Sequence, residues 1–373
     1  MGLFTPAFPL RSRFRNMECD FTTDSILFHN MDCKIGSSDF SVKGTVSNIK
    51  RTLTSANTRR PLKIEISMQS DSINVNEIMH AMLRGAAYNE SANHILQTDV
   101  NASDESVQKA VEDAADAATG ALVVPGNIDA SMKATARHIT YAEVKLKDFI
   151  GTLFVNNGAS KREDMSASSD VGTASLNALY YAPVDTSIMF GMGLKLHDFH
   201  IDKVIDLIPQ IDSLMPIMST MGGVIDADLT AATRIDTLMN IDMASMKAML
   251  QLSGDSLVLL DEETFKTMAK WLMFKDKKKN MIKHMDVAVS VENSMMRLYP
   301  FTFDFDRYHI GVMGGNDLNM NLDYHVSVMK SPLPFKFGIN ITGPADDMKI
   351  RVGKARMKEN MVQNISIGDT TRI

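Results

Sequence analysis

The stretch Leu62-Lys-Ile-Glu-Ile-Ser-Met68 places an apolar side chain at every second position. Ile73-Asn-Val-Asn-Glu-Ile-Met-His-Ala-Met82 then shifts to helical spacing. The first period is that of a half-buried strand, the second that of a short amphipathic helix. The same order returns 126 residues later, with Ile188, Phe190, Met192 and Leu194 alternating before Phe199, Ile201, Val204, Ile205 and Ile208. Downstream, Gly126-Asn-Ile-Asp-Ala130 recurs as Gly223-Val-Ile-Asp-Ala227, now offset by 97. The unequal offsets place an insertion between Arg84 and Val124 of the first copy. A repeated unit buries its apolar face only against its neighbours, which makes the surface modular.

Working outward, most of the chain reads as strands of period two. Ile128, Ala130, Met132, Ala134 and Ala136 face one way, opposite Asp129, Ser131, Lys133, Thr135 and Arg137. Phe301, Phe303 and Phe305 form one face of a strand with Thr302, Asp304 and Asp306 on the other. From Leu318, the residues Met320, Leu322, Tyr324, Val326 and Val328 alternate with Asn319, Asn321, Asp323, His325 and Ser327. One dry and one wet face per strand is the mark of antiparallel sheet. Helices are few and short: Asn74 to Arg84, Asp202 to Thr220 interrupted by Pro209 and Pro216, and Asp261 to Phe274. The last is acidic at its start and runs into Lys275, Lys277, Lys278 and Lys279, which matches the helix dipole. Asn89 to Thr119 is polar and reads as a surface excursion, and Lys354 to Ile373 reads as a poorly ordered tail.

The 373 residues are 45% hydrophobic, enough for a large core, and 29 of them are methionine. Methionine fills irregular gaps and suits adaptable binding surfaces. The net charge of −6 is spread without a basic stripe, which argues against a nucleic-acid partner. No apolar run of ~18 residues is present, so no transmembrane helix is expected. Cys19 and Cys33 either pair across a hairpin or stand as free thiols, and spacing leaves both open.

The sequence carries no complete catalytic motif. His197 and His200 beside Asp198 and Asp202 have the look of metal-ligand spacing, but zinc sites gather three or four convergent ligands, and no metal is expected. Ser47-Asn-Ile-Lys50 fits Ser-x-x-Lys without its companion motifs. Gly314-Gly315-Asn316-Asp317 reads as a hairpin turn. With no catalytic group and no cofactor expected, geometry remains. Too few helices exist to roof every strand, so either two sheets close on each other or one bent sheet forms a groove for an apolar guest.

The strand-then-helix stretch from Leu62 to Met79 resembles the repeating unit of AsmA-like proteins. The final third, from Gln251-Leu-Ser-Gly-Asp255 through Ile341-Thr-Gly343, resembles the C-terminal region of that family. Asp32-Cys-Lys-Ile-Gly-Ser-Ser-Asp-Phe-Ser-Val-Lys-Gly44 looks like versions from Gram-negative envelope proteins. The resemblance implies a non-enzymatic periplasmic protein with a β-groove, associated with the inner membrane and with outer-membrane biogenesis and phospholipid movement, and it allows protein partners in the envelope. It also implies an N-terminal anchor helix, which this sequence lacks, as if it continued a longer chain.

The expected fold is mainly β with a few short helices. Repeated strand-plus-helix units form a long, curved antiparallel sheet with an apolar groove. The expected divisions are N-terminal hairpins over 1–60, two strand-helix-strand repeats over 61–253 with the insertion at 89–124, an AsmA-like region over 254–353, and a tail over 354–373. The candidate lining for phospholipid acyl chains is Ile128, Met132, Met189, Ile225, Leu229, Leu318, Met320 and Leu322. The competing reading is a structural β-protein with a closed core and no ligand.

Overall fold

A computed structural model describes residues 2–5, 8–50, 61–82, 84–85, 128–141, 144–156, 159–170, 172–182, 188–201, 203, 221–235, 241–259, 281–305 and 307–362. Eighteen strands among them belong to one hydrogen-bonded sheet. In chain order they are β1 Gly2–Thr5, β2 Phe8–Phe21, β3 Ser25–Ile35, β4 Ser38–Ser47, β5 Leu62–Asn74, β6 Ile128–Tyr141, β7 Val144–Asn156, β8 Ala159–Ser169 and β9 Gly172–Tyr181. There follow β10 Ile188–His200, β11 Met221–Ile235, β12 Ile241–Leu259, β13 Met281–Glu292, β14 Met295–Phe305, β15 Tyr308–Asp317, β16 Asn321–Lys330, β17 Phe337–Pro344 and β18 Lys349–Gly353. The mainly β, antiparallel expectation holds. The expected helix after β5 is present over residues 75–82. Apart from residue 203, which is helical, the helices expected over 202–220 and 261–274, and the insertion at 89–124, lie outside the described residues.

Contacts divide the chain into two compact units. The first comprises Met1–Asp170, Leu176–Phe190 and Arg234–Ile241. It includes residues on both sides of the expected boundary at 60–61, where β4 and β5 pair from Ser41↔Gln69 to Ser47↔Lys63. Of the registers fixed by the described residues, only β5–β6 is parallel, from Leu62↔Ile128 to Asn74↔Thr140. A parallel neighbour requires the chain to return to the strand's starting end, and the long connection over 75–127 permits this. A core of Cys33, Phe40, Ile73, Ala136 and Ile139 collects at one end of these strands, with Val75 and Ile78 of the helix packed on it. The helix is pinned by Glu77, whose Oε2 accepts from the Ser37 amide at 2.9 Å and from its hydroxyl at 2.5 Å.

The second unit comprises Val171–Ser175, Gly191–Thr233 and Asp242–Ile373. Its core is larger and tighter. Leu257 and Val328 are fully buried, and Phe199, Ile225, Phe305 and Ile310 are 1% exposed. The repeat is visible in the burial. Residues 69–73 and 195–199 share one sequence of exposed, buried, exposed, exposed, buried. Two exposed neighbours break the strict alternation, so Ile73 and Phe199 return to the dry face after a step of three. The β5–β6 register runs through this step unshifted, and Ala136 and Ile139 of β6 show the same step. The copies differ in the direction of the next strand. Lys195 meets Asp228 and His197 meets Asp226, so position rises on β10 as it falls on β11, and this pair is antiparallel.

Two sequence expectations require correction in this unit. Gly314 and Gly315 are not a turn but lie inside β15, and Leu318 and Met320 belong to the turn that precedes β16. A Cβ on Gly314 would meet the Asp323 carbonyl and the Tyr324 ring, and one on Gly315 would meet the Met296 carbonyl. The glycines are there for close strand approach, not for chain reversal. The turn is made by Asp317, which accepts from the Asn321 amide at 2.9 Å, with Met320 at φ +58°.

The second correction concerns the tail. Residues 354–358 fold back as a strap over the polar face of β16 and bury His325, Ser327 and Met357. The amides of Arg356 and Met357 donate to Ser327 Oγ at 3.1 and 3.0 Å. The wet face expected at His325 and Ser327 is therefore dry, because the chain's own backbone covers it.

Candidate functional site

The registers of β3 to β7 align apolar side chains into rows that cross five strands. One row is Ile26, Val46, Ile64, Ala130 and Val155. The next is Phe28, Gly44, Ile66, Met132 and Leu153. At ~4.8 Å between strands each row is about 19 Å wide. Apart from Ala130, these residues are only partly buried, unlike the closed core of the second unit. Gly44 leaves a notch between Phe28 and Ile66, because a Cβ there would strike the Glu65 carbonyl. The first row leads at Val155 into a cluster of Tyr180, Ala182, Ile188 and Ile235. The Tyr180 hydroxyl is buried there without a hydrogen-bond partner, and burial pushes its pKa up.

The eight residues expected to line a groove fall into different settings. Ile128 and Met132 are half-buried on the first unit's apolar face, and Met132 lies within the second row. Met189 is 50% exposed between the drier Ile188 and Phe190, so it points to the opposite side of β10. Ile225 is sealed in the second unit's core, touching the space above Gly254 beside Leu257. Leu229 and Leu322 are half-buried on β11 and β16. Leu318 and Met320 sit in the turn before β16. Sequence reasoning missed Tyr180, because a tyrosine in an alternating strand carries no signal that its hydroxyl is unmatched.

The steps at 70–73 and 196–199 carry the polar geometry. In the first unit, Asp39 of β4 accepts from the amides of Asp71 and Ser72 at 3.0 and 2.8 Å. In the second, Asp226 of β11 accepts from the Asp198 amide at 2.8 Å and from His197 Nδ1 at 2.7 Å. Each step thus has an aspartate from a neighbouring strand over its exposed amides. Each also borders a shallow cavity, of about 530 Å³ at Asp39 and about 630 Å³ at Asp226.

His197, Asp198 and Asp226 bring three ligand atoms within 4.8 Å of one another, all on exposed residues. His200 is not in this cluster, and Asp202 lies outside the described residues. Asp226 joins from the next strand, a pairing that local spacing cannot reveal. The carboxylates are already engaged by the His197 ring and the Asp198 amide, so hydrogen bonding accounts for the arrangement.

Beneath the strap, Ser327 Oγ lies 2.9 Å from His325 Nε2, and His325 Nδ1 lies 2.9 Å from Asn340 Oδ1. The order hydroxyl, imidazole, amide has the form of a nucleophile, base and orienting group. Ser327 is fully buried and its oxygen is filled by two strap amides, so the trio serves to hold the strap. Burial also pushes the nearby Tyr324 hydroxyl up to about 12, where it donates to Asn316 Oδ1 at 2.6 Å. No protein-family model, no curated protein and no solved structure matches this chain.

Proposed function

We propose that the first unit's apolar face holds the acyl chains of a phospholipid, in a non-enzymatic protein of AsmA type that serves outer-membrane biogenesis from the periplasmic side of the inner membrane. The observation that carries this reading is the pair of half-buried apolar rows across β3 to β7. Each buried CH₂ of a guest chain would contribute ~0.8 kcal/mol, so a few methylenes along one row give useful affinity. Tyr180 would supply the polar contact, its unmatched hydroxyl donating to an ester oxygen where the row ends. The second reading, a scaffold with a closed core, is favoured by the second unit, where Leu257 and Val328 are fully buried.

The test is lipid extraction and mass spectrometry on purified protein. The proposal expects phospholipid well above a control protein, and less of it after Tyr180→Phe. Recovery at the control level, with the protein folded by circular dichroism, selects the scaffold.

A further inference from the structure

The strand ends of the second unit differ in charge. At one end lie the turns Glu292 to Met295, Asp317 to Met320 and Pro344 to Met348, which carry Glu292, Asp317, Asp346 and Asp347. The opposite end is fixed by the registers Val258↔Met281, Phe305↔Tyr308, His309↔Lys330, Val328↔Phe337 and Gly338↔Gly353. It carries Lys283, Arg307, Lys330, Lys336 and Lys354, all exposed. The acidic groups on the strands nearest these cations are engaged by histidines, Asp304 by His309 at 2.9 Å and Asp255 and Asp286 by His284 at 2.6 and 2.9 Å. The six strands β13 to β18 make this rim roughly 24 Å long at ~4.8 Å per strand. A basic rim on a chain of net charge −6 is a local departure from the average.

The same rim exposes apolar groups. Phe335 is 60% exposed, Val352 57% and Met281 46%. Phe335 stands on the connection Ser331-Pro-Leu-Pro-Phe-Lys336, where Pro332 and Pro334 restrict the backbone and the Ser331 hydroxyl accepts from the Leu333 amide at 3.1 Å. The ring lies at the edge of the sheet, 6.3 Å from the ring of Phe337. A stiff loop presenting an aromatic ring between Lys330 and Lys336 has the chemistry of a bilayer interface.

We propose that this rim docks on a bilayer containing anionic phospholipid, with Phe335 entering the headgroup region and Lys330, Lys336 and Lys354 meeting the lipid phosphates. A purely acidic protein surface would use the cations and gain nothing from Phe335. The inference stands apart from acyl-chain binding by the first unit, since none of its residues lies there.

The experiment is co-sedimentation of the whole chain with phosphatidylcholine vesicles and with vesicles that also contain phosphatidylglycerol. Binding is expected to the second set alone and to weaken as salt rises. Each of Lys330→Glu, Lys336→Glu and Lys354→Glu should lower the partition coefficient at least fivefold, since one charge near an anionic surface is worth ~1 kcal/mol. Phe335→Ser should lower it roughly tenfold without altering the melting temperature, because the ring is exposed. Absence of vesicle binding overturns the proposal. So does binding that is lost with the lysines and untouched by Phe335→Ser, which assigns the rim to an acidic protein partner. Met132→Lys on the first unit's face should leave vesicle binding intact, so loss of acyl-chain binding and loss of docking are read separately.

Discussion

Ser327 Oγ lies 2.9 Å from His325 Nε2, and both side chains are buried although they continue the polar series of Asn321 and Asp323. The strap makes this arrangement stable by supplying the amides of Arg356 and Met357. Ser327→Ala removes the acceptor of the buried Met357 amide, while the Arg356 amide keeps His325 Nε2 at 3.1 Å, and the unmatched amide costs about 1–3 kcal/mol. Hydrogen exchange should speed up at Arg356 and Met357 first. If those amides already exchange at the rate of the free chain in the native protein, Ser327 does not hold the strap.

Gly44 has φ +152°, and a Cβ there would meet the Glu65 carbonyl of the adjacent strand. Gly44→Ala should therefore destabilise by about 2 kcal/mol or more through strain and strand separation. Gly193 has nothing within 4 Å of its Cβ position, so Gly193→Ala should be neutral or slightly stabilising. Chemical denaturation of the two variants gives the comparison.

His284 sits between two carboxylates, 2.6 Å from Asp255 and 2.9 Å from Asp286. Hydrogen bonding to Asp255, then to Asp286, raises its pKa above the ordinary 6.5. A raised histidine favours the folded state most below the unfolded value. Its contribution is lost as pH climbs through the folded value. An NMR titration should place the His284 midpoint above 6.5, and Asp255→Asn should move it down. The pair is largely exposed, so the effect on stability is small.

The strands were legible because burial on one face writes period two into the sequence, and the Leu62 and Ile188 copies show it in matching burial. What failed was register. Local alternation says which residues share a face but not what lies across from them. The coverage of His325 by the strap, the approach of Asp226 to His197, and the parallel entry of β6 are all set by distant residues. Glycine was misread for the same reason. Gly314 and Gly315 look like turn formers, and only the neighbouring strands reveal that they are spacers.

Cys19 stands opposite Phe28 and Cys33 opposite Phe14, five residues apart along β3. That is roughly 16 Å, beyond disulfide reach. Burial, followed by the charges of Asp32 and Asp39, pushes the Cys33 thiol up. A thiol reagent near neutral pH should label Cys19 quickly and Cys33 only as fast as the protein opens, with two thiols titrated in denaturant. A single phase for both would show that β2 and β3 pair in another register.

Met132 and Ile225 were expected to act together, and the structure gives them opposite environments. Ile225 is 1% exposed and packs at Gly254 and Leu257, so Ile225→Ala should leave a cavity and cost about 2–5 kcal/mol. Met132 is half-buried between Ile66 and Leu153, and truncating it to alanine should cost less than half as much, because its side chain lies on a surface that is already partly wet. Met132→Lys places an ammonium in the middle of the second row, where its stem can reach outward and keep the fold intact. The melting temperature should stay close to that of the parent, while phospholipid recovered after purification falls to the control level. Lipid retained by Met132→Lys but lost from a folded Ile225→Ala protein would move the acyl site out of the first unit and into the second.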